Sequence, residues 1–233
     1  MGGVILSAPS SGSGKTTLTL GLIRAAVRRG VAVVSAKSGP DYIDPRFHAA
    51  ASGMPCVNLD AWAMSDARLR SLAFEANMPL IIEGAMGLFD GAPPNGKGSS
   101  ADLARILGMP VVLVVDAGKM AGSVAAVVRG FMIHDPAVHV AGVILNNVGS
   151  PRHEAMLRRA LAPLEITVLG AVPRMAALAT PSRHLGLMQA SERNDLDAFL
   201  DAAAEVVAAH VDVSAILALA GGETEPVAAP RMA

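Results

Sequence analysis

The chain has 233 residues, a formal net charge of −1 at pH 7 and one cysteine. This length is near the upper end for a single domain, and the small charge gives no global attraction to nucleic acid or to an anionic membrane. Apolar residues make up 52% of the sequence, yet no apolar run approaches the roughly 20 residues that cross a bilayer. One cysteine excludes an internal disulfide. We therefore expect a cytoplasmic protein that binds neither nucleic acid nor a membrane.

Short apolar segments alternate along the chain with segments of helical composition. The predicted strands are apolar throughout, as is typical of strands covered on both faces; they are residues 4–7, 31–36, 80–83, 111–116, 140–145 and 167–172. The predicted helices are 15–29, a helix from a Ser65 or Asp66 cap to about Asn77, 101–107 capped by Ser100, and a long alanine-rich helix opened by Asn194 or Asp195. This order predicts an α/β fold with a doubly wound, mostly parallel sheet that binds ligands at the carboxyl ends of its strands.

A glycine-rich run follows the first predicted strand: residues 8–17 read APSSGSGKTT. A strand, a glycine-rich loop and a helix in this order are typical of a P-loop, whose backbone N–H groups bind the phosphates of ATP. Lys15 would contact the β- and γ-phosphates, and the Thr16 hydroxyl would ligate Mg²⁺. Pro9 stands where the usual pattern has its first glycine. The predicted nucleotide-binding residues are Ser11, Gly12, Ser13, Gly14, Lys15, Thr16 and Thr17.

Charged residues follow two other predicted strands. Residues 37–48 read KSGPDYIDPRFH, and residues 83–91 read EGAMGLFDG. The carboxyl ends of parallel strands meet at one edge of the sheet, so these segments lie where the phosphates bind. Lys37 would neutralise charge on the γ-phosphate during transfer. Asp41 and Asp44 would hold Mg²⁺ or orient a substrate, although an ordinary turn is the alternative for this segment.

The acidic ligand of Mg²⁺ in P-loop proteins commonly closes an apolar strand. Two residues fit that description, Glu83 and Asp116, and hydrophobic periodicity does not choose between them. Asp90 lies between two glycines, which lets it approach a ligand closely, or else it is a simple turn residue.

Together, segments 8–17, 37–48 and 83–91 resemble the successive signatures of cobyrinic and hydrogenobyrinic acid a,c-diamide synthases, the glutamine-dependent amidoligases of corrinoid biosynthesis. The resemblance continues through residues 99–104, 112–117, 142–153 and 181–187. It implies a P-loop NTPase fold like that of dethiobiotin synthetase. Residues 1–220 would form the ATP-dependent synthetase domain, and 221–233 a linker or tail.

The resemblance also implies an activity: ATP- and Mg²⁺-dependent amidation of the a- and c-acetate carboxylates of a corrin in cobalamin biosynthesis. ATP would phosphorylate a carboxylate, and ammonia would displace phosphate from the acyl phosphate. The implied catalytic residues are Lys15, Lys37, Asp41, Asp44, Glu83 and Asp90. The implied metal ligands are Thr16, Asp41 and Glu83. The implied substrate contacts are Tyr42, Asp44, His48 and Asp90, and Asn146 would suit the adenine edge.

Members of this family usually continue into a glutamine amidotransferase domain with a nucleophilic cysteine on a sharp turn. The sequence ends at Ala233, and Cys56 lacks both the Gly-x-Cys-x-Gly turn and a downstream His–Glu pair. We therefore expect the glutaminase domain to be absent. The expected partners are a corrin substrate, ammonia from a glutaminase domain and, as an option, a second copy of the chain.

Three other functions stay open. A partitioning-type P-loop switch ATPase shares the GKTT run, but its extra lysine, five residues before the P-loop lysine, is replaced here by Ser10. Dethiobiotin synthetase also activates a carboxyl group with ATP, but segment 39–45 (GPDYIDP) argues against it. A ligase that amidates a nickel-containing tetrapyrrole is a near relative. Overall likeness favours metal-free hydrogenobyrinic acid over the cobalt-containing substrate.

Overall fold

The computed structural model describes residues 2–94, 96–174 and 195–221. Its strands are β1 (Gly3–Ser7), β2 (Val34–Ser38), β3 (Cys56–Leu59), β4 (Leu80–Glu83), β5 (Val111–Asp116), β6 (Val140–Val148) and β7 (Val168–Pro173). They form one parallel sheet in the order β3-β2-β4-β1-β5-β6-β7. The prediction of a doubly wound α/β fold is confirmed.

Helices cover both faces of the sheet. They are α1 (Lys15–Arg28), α2 (Asp44–Ser52), α3 (Asp66–Phe74), α4 (Ser100–Leu107), α5 (Ser123–Ile133), α6 (Pro151–Leu161), the 3-10 turn Ala162–Leu164, α7 (Leu196–His210) and α8 (Val213–Leu219). Helices α1, α2, α7 and α8 pack on one face, and α3 to α6 on the other. Successive residues of β1 point to opposite faces of the sheet. Val4 and Leu6 pack with the layer that contains α1, and Ile5 packs with the layer that contains α3. No helix in the described part of the chain has the length and apolarity needed to cross a bilayer.

Strand β2 begins and ends later than predicted. The prediction for residues 31–36 was wrong because residues 31–33 carry the chain from the end of α1 into the sheet, after a turn at Gly30 with φ 79°. The strand runs on to Ser38 because β3 and β4 flank it, and Lys37 pairs in register with Asn58 and Glu83. Strand β3 was not predicted, because its four residues, CVNL, include the polar Asn58 and do not form an apolar run. Lys37 was placed after β2 instead of within it.

Strand β6 runs on to Val148, beyond its predicted end at residue 145, and β7 begins and ends one residue later than predicted. Helix termini account for further differences. The Ser65 side chain caps α3 as predicted, though the helix ends at Phe74. Ser99, not Ser100, caps α4: its side chain accepts from the Asp102 N–H, and the Asp102 carboxylate accepts from the Ser99 N–H. The predicted final helix is two helices, because Asp212 caps α8 through the Ala215 N–H. The predicted segment 181–187 and all of the predicted tail except residue 221 lie outside the described residues.

Candidate functional site

The loop after β1 has the backbone conformation of a phosphate-binding loop. Gly12 and Gly14 have φ angles of 81° and 93°, in a region that residues with a Cβ rarely adopt. The Ser13 hydroxyl donates to the Ser10 carbonyl oxygen at 2.9 Å and closes the loop. Helix α1 begins directly after the second glycine, so the unpaired N–H groups of its first turn open into the same site. Residues 11–17, predicted to bind nucleotide, thus form one loop and one helical turn.

Strand β6 supports this loop from the side. Asn146 Nδ2 donates to the Ser13 carbonyl oxygen at 2.9 Å, and a Cβ on Gly14 would collide with that amide nitrogen. Glycine is therefore needed at position 14 for space as well as for φ. Asn146 lies within β6, in register with Asp116, and not after the strand end as predicted. Its contact with adenine stays a prediction.

The Lys15 ammonium is buried beneath the loop. Its Nζ donates to the Met86 carbonyl oxygen at 2.6 Å and to the Ser10 carbonyl oxygen at 3.3 Å. Burial lowers the pKa of Lys15, and the negative charges of Glu83 and Asp90 offset part of this effect. Lys15 thus joins the P-loop to the loop that follows β4.

A buried carboxylate lies at the centre of the second half of the site. Glu83 is 1% exposed. Its Oε1 accepts from Thr16 Oγ1 at 2.6 Å and from Lys37 Nζ at 2.8 Å, and its Oε2 lies 2.7 Å from His48 Nε2. Lys37 Nζ also donates to Asp44 Oδ2 at 2.7 Å. These five residues, Thr16, Lys37, Asp44, His48 and Glu83, are called the Glu83 cluster below.

The charges in the Glu83 cluster stabilise one another against burial. Burial alone would raise the pKa of Glu83, but Lys37 and His48 hold it well below its ordinary value. Burial would lower the pKa of Lys37, but Glu83 and Asp44 outweigh it and raise the pKa. Burial also acts to lower the pKa of His48, yet the Cys56 thiol and Glu83 raise it to about 9. Glu83, Lys37 and His48 are therefore charged at neutral pH, whereas burial and the charge of Glu83 raise the pKa of Asp44 against the effect of Lys37.

Helix α2 delivers two of the cluster residues. Asp41 Oδ1 accepts from the N–H groups of Ile43 and Asp44, at 2.8 and 3.1 Å, and so stabilises the first turn of the helix. Asp44 and His48 are four residues apart and hence on one helical face. No helix was predicted for this segment. Pro45 in the first turn was the available signal for a helix start.

Asp90 organises the loop after β4. Its Oδ2 accepts from the Gly87 N–H at 2.9 Å, and the Leu88 N–H donates to the Ala8 carbonyl oxygen at 2.8 Å. A Cβ on Gly87 would lie 2.7 Å from the Pro9 carbonyl oxygen. The loop that carries Asp90 is therefore packed directly on the P-loop, as the sequence predicted from the neighbouring strands.

The contacts favour Glu83 over Asp116 as the acidic partner of Mg²⁺. The Thr16 hydroxyl and the Glu83 carboxylate are adjacent oxygen donors beside the P-loop, the donor type that Mg²⁺ prefers. Asp116 is exposed and accepts from Asn147 Nδ2 at 3.0 Å instead. Asp41 commits Oδ1 to the first turn of α2, and its role as a metal ligand stays a prediction. Among the described residues, no group of three or more His, Cys, Asp or Glu side chains could hold a metal.

Two predicted substrate residues differ sharply in exposure. Tyr42 is open to solvent, whereas the His48 ring is fully buried behind Glu83. His48 thus contacts Glu83 and lies out of direct reach of a bound substrate. The sequence analysis missed Asn58, whose Nδ2 donates to the Asp41 carbonyl oxygen at 2.5 Å. If β3 had been predicted, Asn58 would have stood out as a polar residue within a strand.

The fold and the loop define a P-loop nucleotide-binding protein. Residues 4–187 match the model of the CobQ/CobB/MinD/ParA nucleotide binding domain (CbiA). The chain belongs to this family. Among solved structures it is similar to the MinD cell division protein of Aquifex aeolicus, with a TM-score of 0.54 and 14% identity over 97% of this chain and 100% of that one. A likeness at this identity supports the fold alone.

Two relatives carry a common name. The chain is 56% identical over 220 residues to the hydrogenobyrinate a,c-diamide synthase of Brucella anthropi, covering 93% of this chain and 50% of the relative. It is 54% identical over 229 residues to the synthase of the same name from Rhodobacter capsulatus, covering 96% and 53%. These matches confirm the resemblance found in the sequence. The chain spans about half the length of each synthase.

Proposed function

We propose that this chain catalyses the ATP- and Mg²⁺-dependent amidation of the a- and c-acetate carboxylates of hydrogenobyrinic acid in cobalamin biosynthesis. The observation that carries the proposal is the Glu83 cluster, an ionised network bonded to the first helical turn of the P-loop. The names of the two bacterial synthases support the substrate. The enzyme class would be a carbon–nitrogen ligase.

The reaction has two steps. A substrate carboxylate oxygen attacks the γ-phosphorus of ATP, the bond to the β-phosphate oxygen breaks, and ADP leaves. Ammonia then attacks the carbonyl carbon of the acyl phosphate, inorganic phosphate leaves, and the nitrogen loses a proton to give the amide. Phosphorylation is needed because a carboxylate has no good leaving group. The protein must therefore hold two anions together long enough to react.

The two lysines reduce the repulsion between those anions. Lys15 already lies against the loop that follows β4, at the Met86 carbonyl oxygen, so a modest side-chain movement would bring it to the phosphates. Lys37 stays paired with Glu83 and Asp44. Its positive charge would act on the γ-phosphate from within the Glu83 cluster. The charge of Lys37 is thus preorganised, and such a charge stabilises the transition state without reorganisation during the reaction.

Thr16 and Glu83 would hold Mg²⁺, which when bound neutralises charge on the transferred phosphoryl group. His48 acts as a positioning residue, since its ring bonds Glu83 Oε2 and leaves Oε1 directed at Thr16. Asp41 and Asp90, in loops at the same edge, would orient the substrate or the metal. Ammonia would come from a glutaminase domain, or from free ammonium in vitro.

The test is product analysis by mass spectrometry. The purified chain is incubated with Mg-ATP, hydrogenobyrinic or cobyrinic acid, and either ammonium chloride or glutamine. The proposal predicts mono- and diamide products of the metal-free corrin with ammonium, and a Glu83→Gln variant serves as the inactive comparison. Glu75→Gln is the matched control and should keep wild-type turnover, because the Glu75 carboxylate is exposed at the C-terminal end of α3. Tight ATP binding without amide formation would contradict the proposal for this chain alone. It would mean either that the glutaminase domain completes the site or that the chain is a switch ATPase or a nickel-tetrapyrrole ligase.

A further inference from the structure

Three large apolar side chains are exposed at one edge of the sheet. Trp62 follows β3 and is 60% exposed, Tyr42 follows β2 and is 78% exposed, and Met86 follows β4 and is 48% exposed. Strands β3, β2 and β4 are neighbours in that order, so the loops at their carboxyl ends form a continuous edge. These three residues are called the apolar rim. Exposed apolar side chains grouped in this way, unlike scattered ones, indicate a binding surface.

The backbone around Trp62 is held on two sides. The N–H groups of Trp62 and Ala63 donate to the buried Asp60 carboxylate, at 2.9 and 3.2 Å. On the other side, a Cβ on Gly98 would lie only 2.7 Å from Trp62 Cβ. The backbone of Gly98, with φ 84°, therefore packs directly against the tryptophan. An indole on a fixed backbone loses little conformational entropy when a ligand covers it.

The apolar rim is connected to the groups proposed to react. Met86 accepts from Lys15 Nζ through its carbonyl oxygen. Tyr42 directly follows Asp41, whose carbonyl oxygen accepts from Asn58 Nδ2. The rim therefore borders the P-loop on one side and the first turn of α2 on the other. A ligand covering it would have its edge at the Glu83 cluster.

This position matches the chemistry of the proposed substrate, on which the inference rests. A corrin is a broad conjugated ring with carboxylates around its periphery, so it needs an apolar surface for the ring and charged groups for its arms. We infer that the indole face of Trp62 packs against the corrin ring of the substrate. Nothing in the sequence motifs marks this residue, because it lies outside the segments that carry charge and glycine.

Equilibrium dialysis of hydrogenobyrinic acid tests the inference. Trp62→Ala should raise the dissociation constant about 10-fold, and Trp62→Phe, which keeps an aromatic face, should stay within about 3-fold of wild type. Phe74→Ala is the matched control. That ring is 41% exposed but lies at the last residue of α3, where the chain turns back towards the start of β4, and its loss should leave binding unchanged. Trp62 is the single tryptophan of the sequence, so a saturable loss of its fluorescence on corrin binding gives a second readout.

Amide formation is measured separately in the same samples, so the two proposals fail in different ways. Wild-type binding that Trp62→Ala does not weaken would overturn the inference and leave the proposed amidation standing. Binding that depends on Trp62 without any amide formation would support the rim as a corrin site and contradict the amidation. Wild-type protein that does not bind the corrin would overturn both.

Discussion

The P-loop and the Glu83 cluster lie side by side at one edge of the sheet but are built in different ways. The P-loop takes most of its shape from nearby residues, namely two glycines with positive φ and a hydroxyl that reaches back three residues, and Asn146 of β6 adds one long-range contact. The Glu83 cluster joins side chains from β2, β4, α1 and α2, with contacts that span from 7 to 67 residues of sequence. Backbone chemistry forms the first, and side-chain charge forms the second. The two should therefore respond differently to substitution.

Glu83→Gln should have the largest effect, on both activity and stability. The change leaves Lys37 and His48 without their shared anion in a buried site. Breaking a buried charge pair costs about 3 to 5 kcal/mol of unfolding free energy, and we also expect turnover to fall about 100-fold or more. Urea denaturation measures the unfolding free energy, and the rate of amide formation measures turnover. Wild-type turnover in this variant would remove Glu83 from the mechanism, and unchanged stability would show that the charges are not coupled.

Lys15→Ala should separate the two regions. We expect a similar loss of turnover, about 100-fold or more. The unfolding free energy should change by no more than about 1 kcal/mol, because the lysine mainly bonds backbone carbonyls and leaves no buried charge unpaired. The same two assays apply. A stability loss as large as that of Glu83→Gln would mean that the P-loop lysine belongs to the ionised network as well.

Asp41→Asn distinguishes a chemical role from a structural one. Asparagine also accepts hydrogen bonds from a first helical turn, so stability should change by less than about 0.5 kcal/mol. Turnover should still fall about 100-fold if the carboxylate charge orients the metal or the substrate. Normal turnover with normal stability would restrict Asp41 to its place in the first turn of α2.

Gly14→Ala should weaken nucleotide binding about 10-fold, since the new Cβ meets the Asn146 amide and φ 93° disfavours a side chain. Isothermal titration with ATP measures the change. Gly53→Ala is the matched control, because its φ is also positive, at 71°, but nothing lies within 4 Å of the added Cβ. Equal ATP affinity in the two variants would show that the contact with β6 has no part in shaping the loop.

The smallest expected effect lies at the far end of the P-loop helix. Arg24 of α1 donates to Asp201 of α7 at 2.8 Å, and this hydrogen bond lowers the pKa of Asp201. A lowered pKa in the folded state contributes stability above the ordinary carboxyl pKa, and that stability is lost as pH falls through the folded value. Asp201→Asn should therefore slightly reduce the loss of stability between pH 5 and pH 2, measured by urea denaturation. A pair that is only partly buried contributes little, so a large change would contradict this account.

The sequence predicts the P-loop well and the Glu83 cluster in part. Residues 8–17 are contiguous, so their order alone indicated the strand, the loop and the helix. Glu83 and Lys37 were recognised as functional, but their contact depends on the pairing and register of β2 against β4, which the sequence alone did not give. His48 was placed at the substrate, because without α2 its position four residues from Asp44 could not be related to a buried carboxylate. Trp62 was missed because a lone aromatic residue carries no pattern until neighbouring loops are known.

The central claim is that the substrate carboxylate is activated by direct transfer of the γ-phosphoryl group beside the Glu83 cluster. The most direct test uses hydrogenobyrinic acid whose acetate carboxylates are labelled with heavy oxygen, incubated with Mg-ATP and ammonium chloride. The account predicts that each amide formed transfers one labelled oxygen to inorganic phosphate, detected by mass spectrometry. Amide formation with unlabelled phosphate would show that the carboxylate is never phosphorylated, and it would contradict the account.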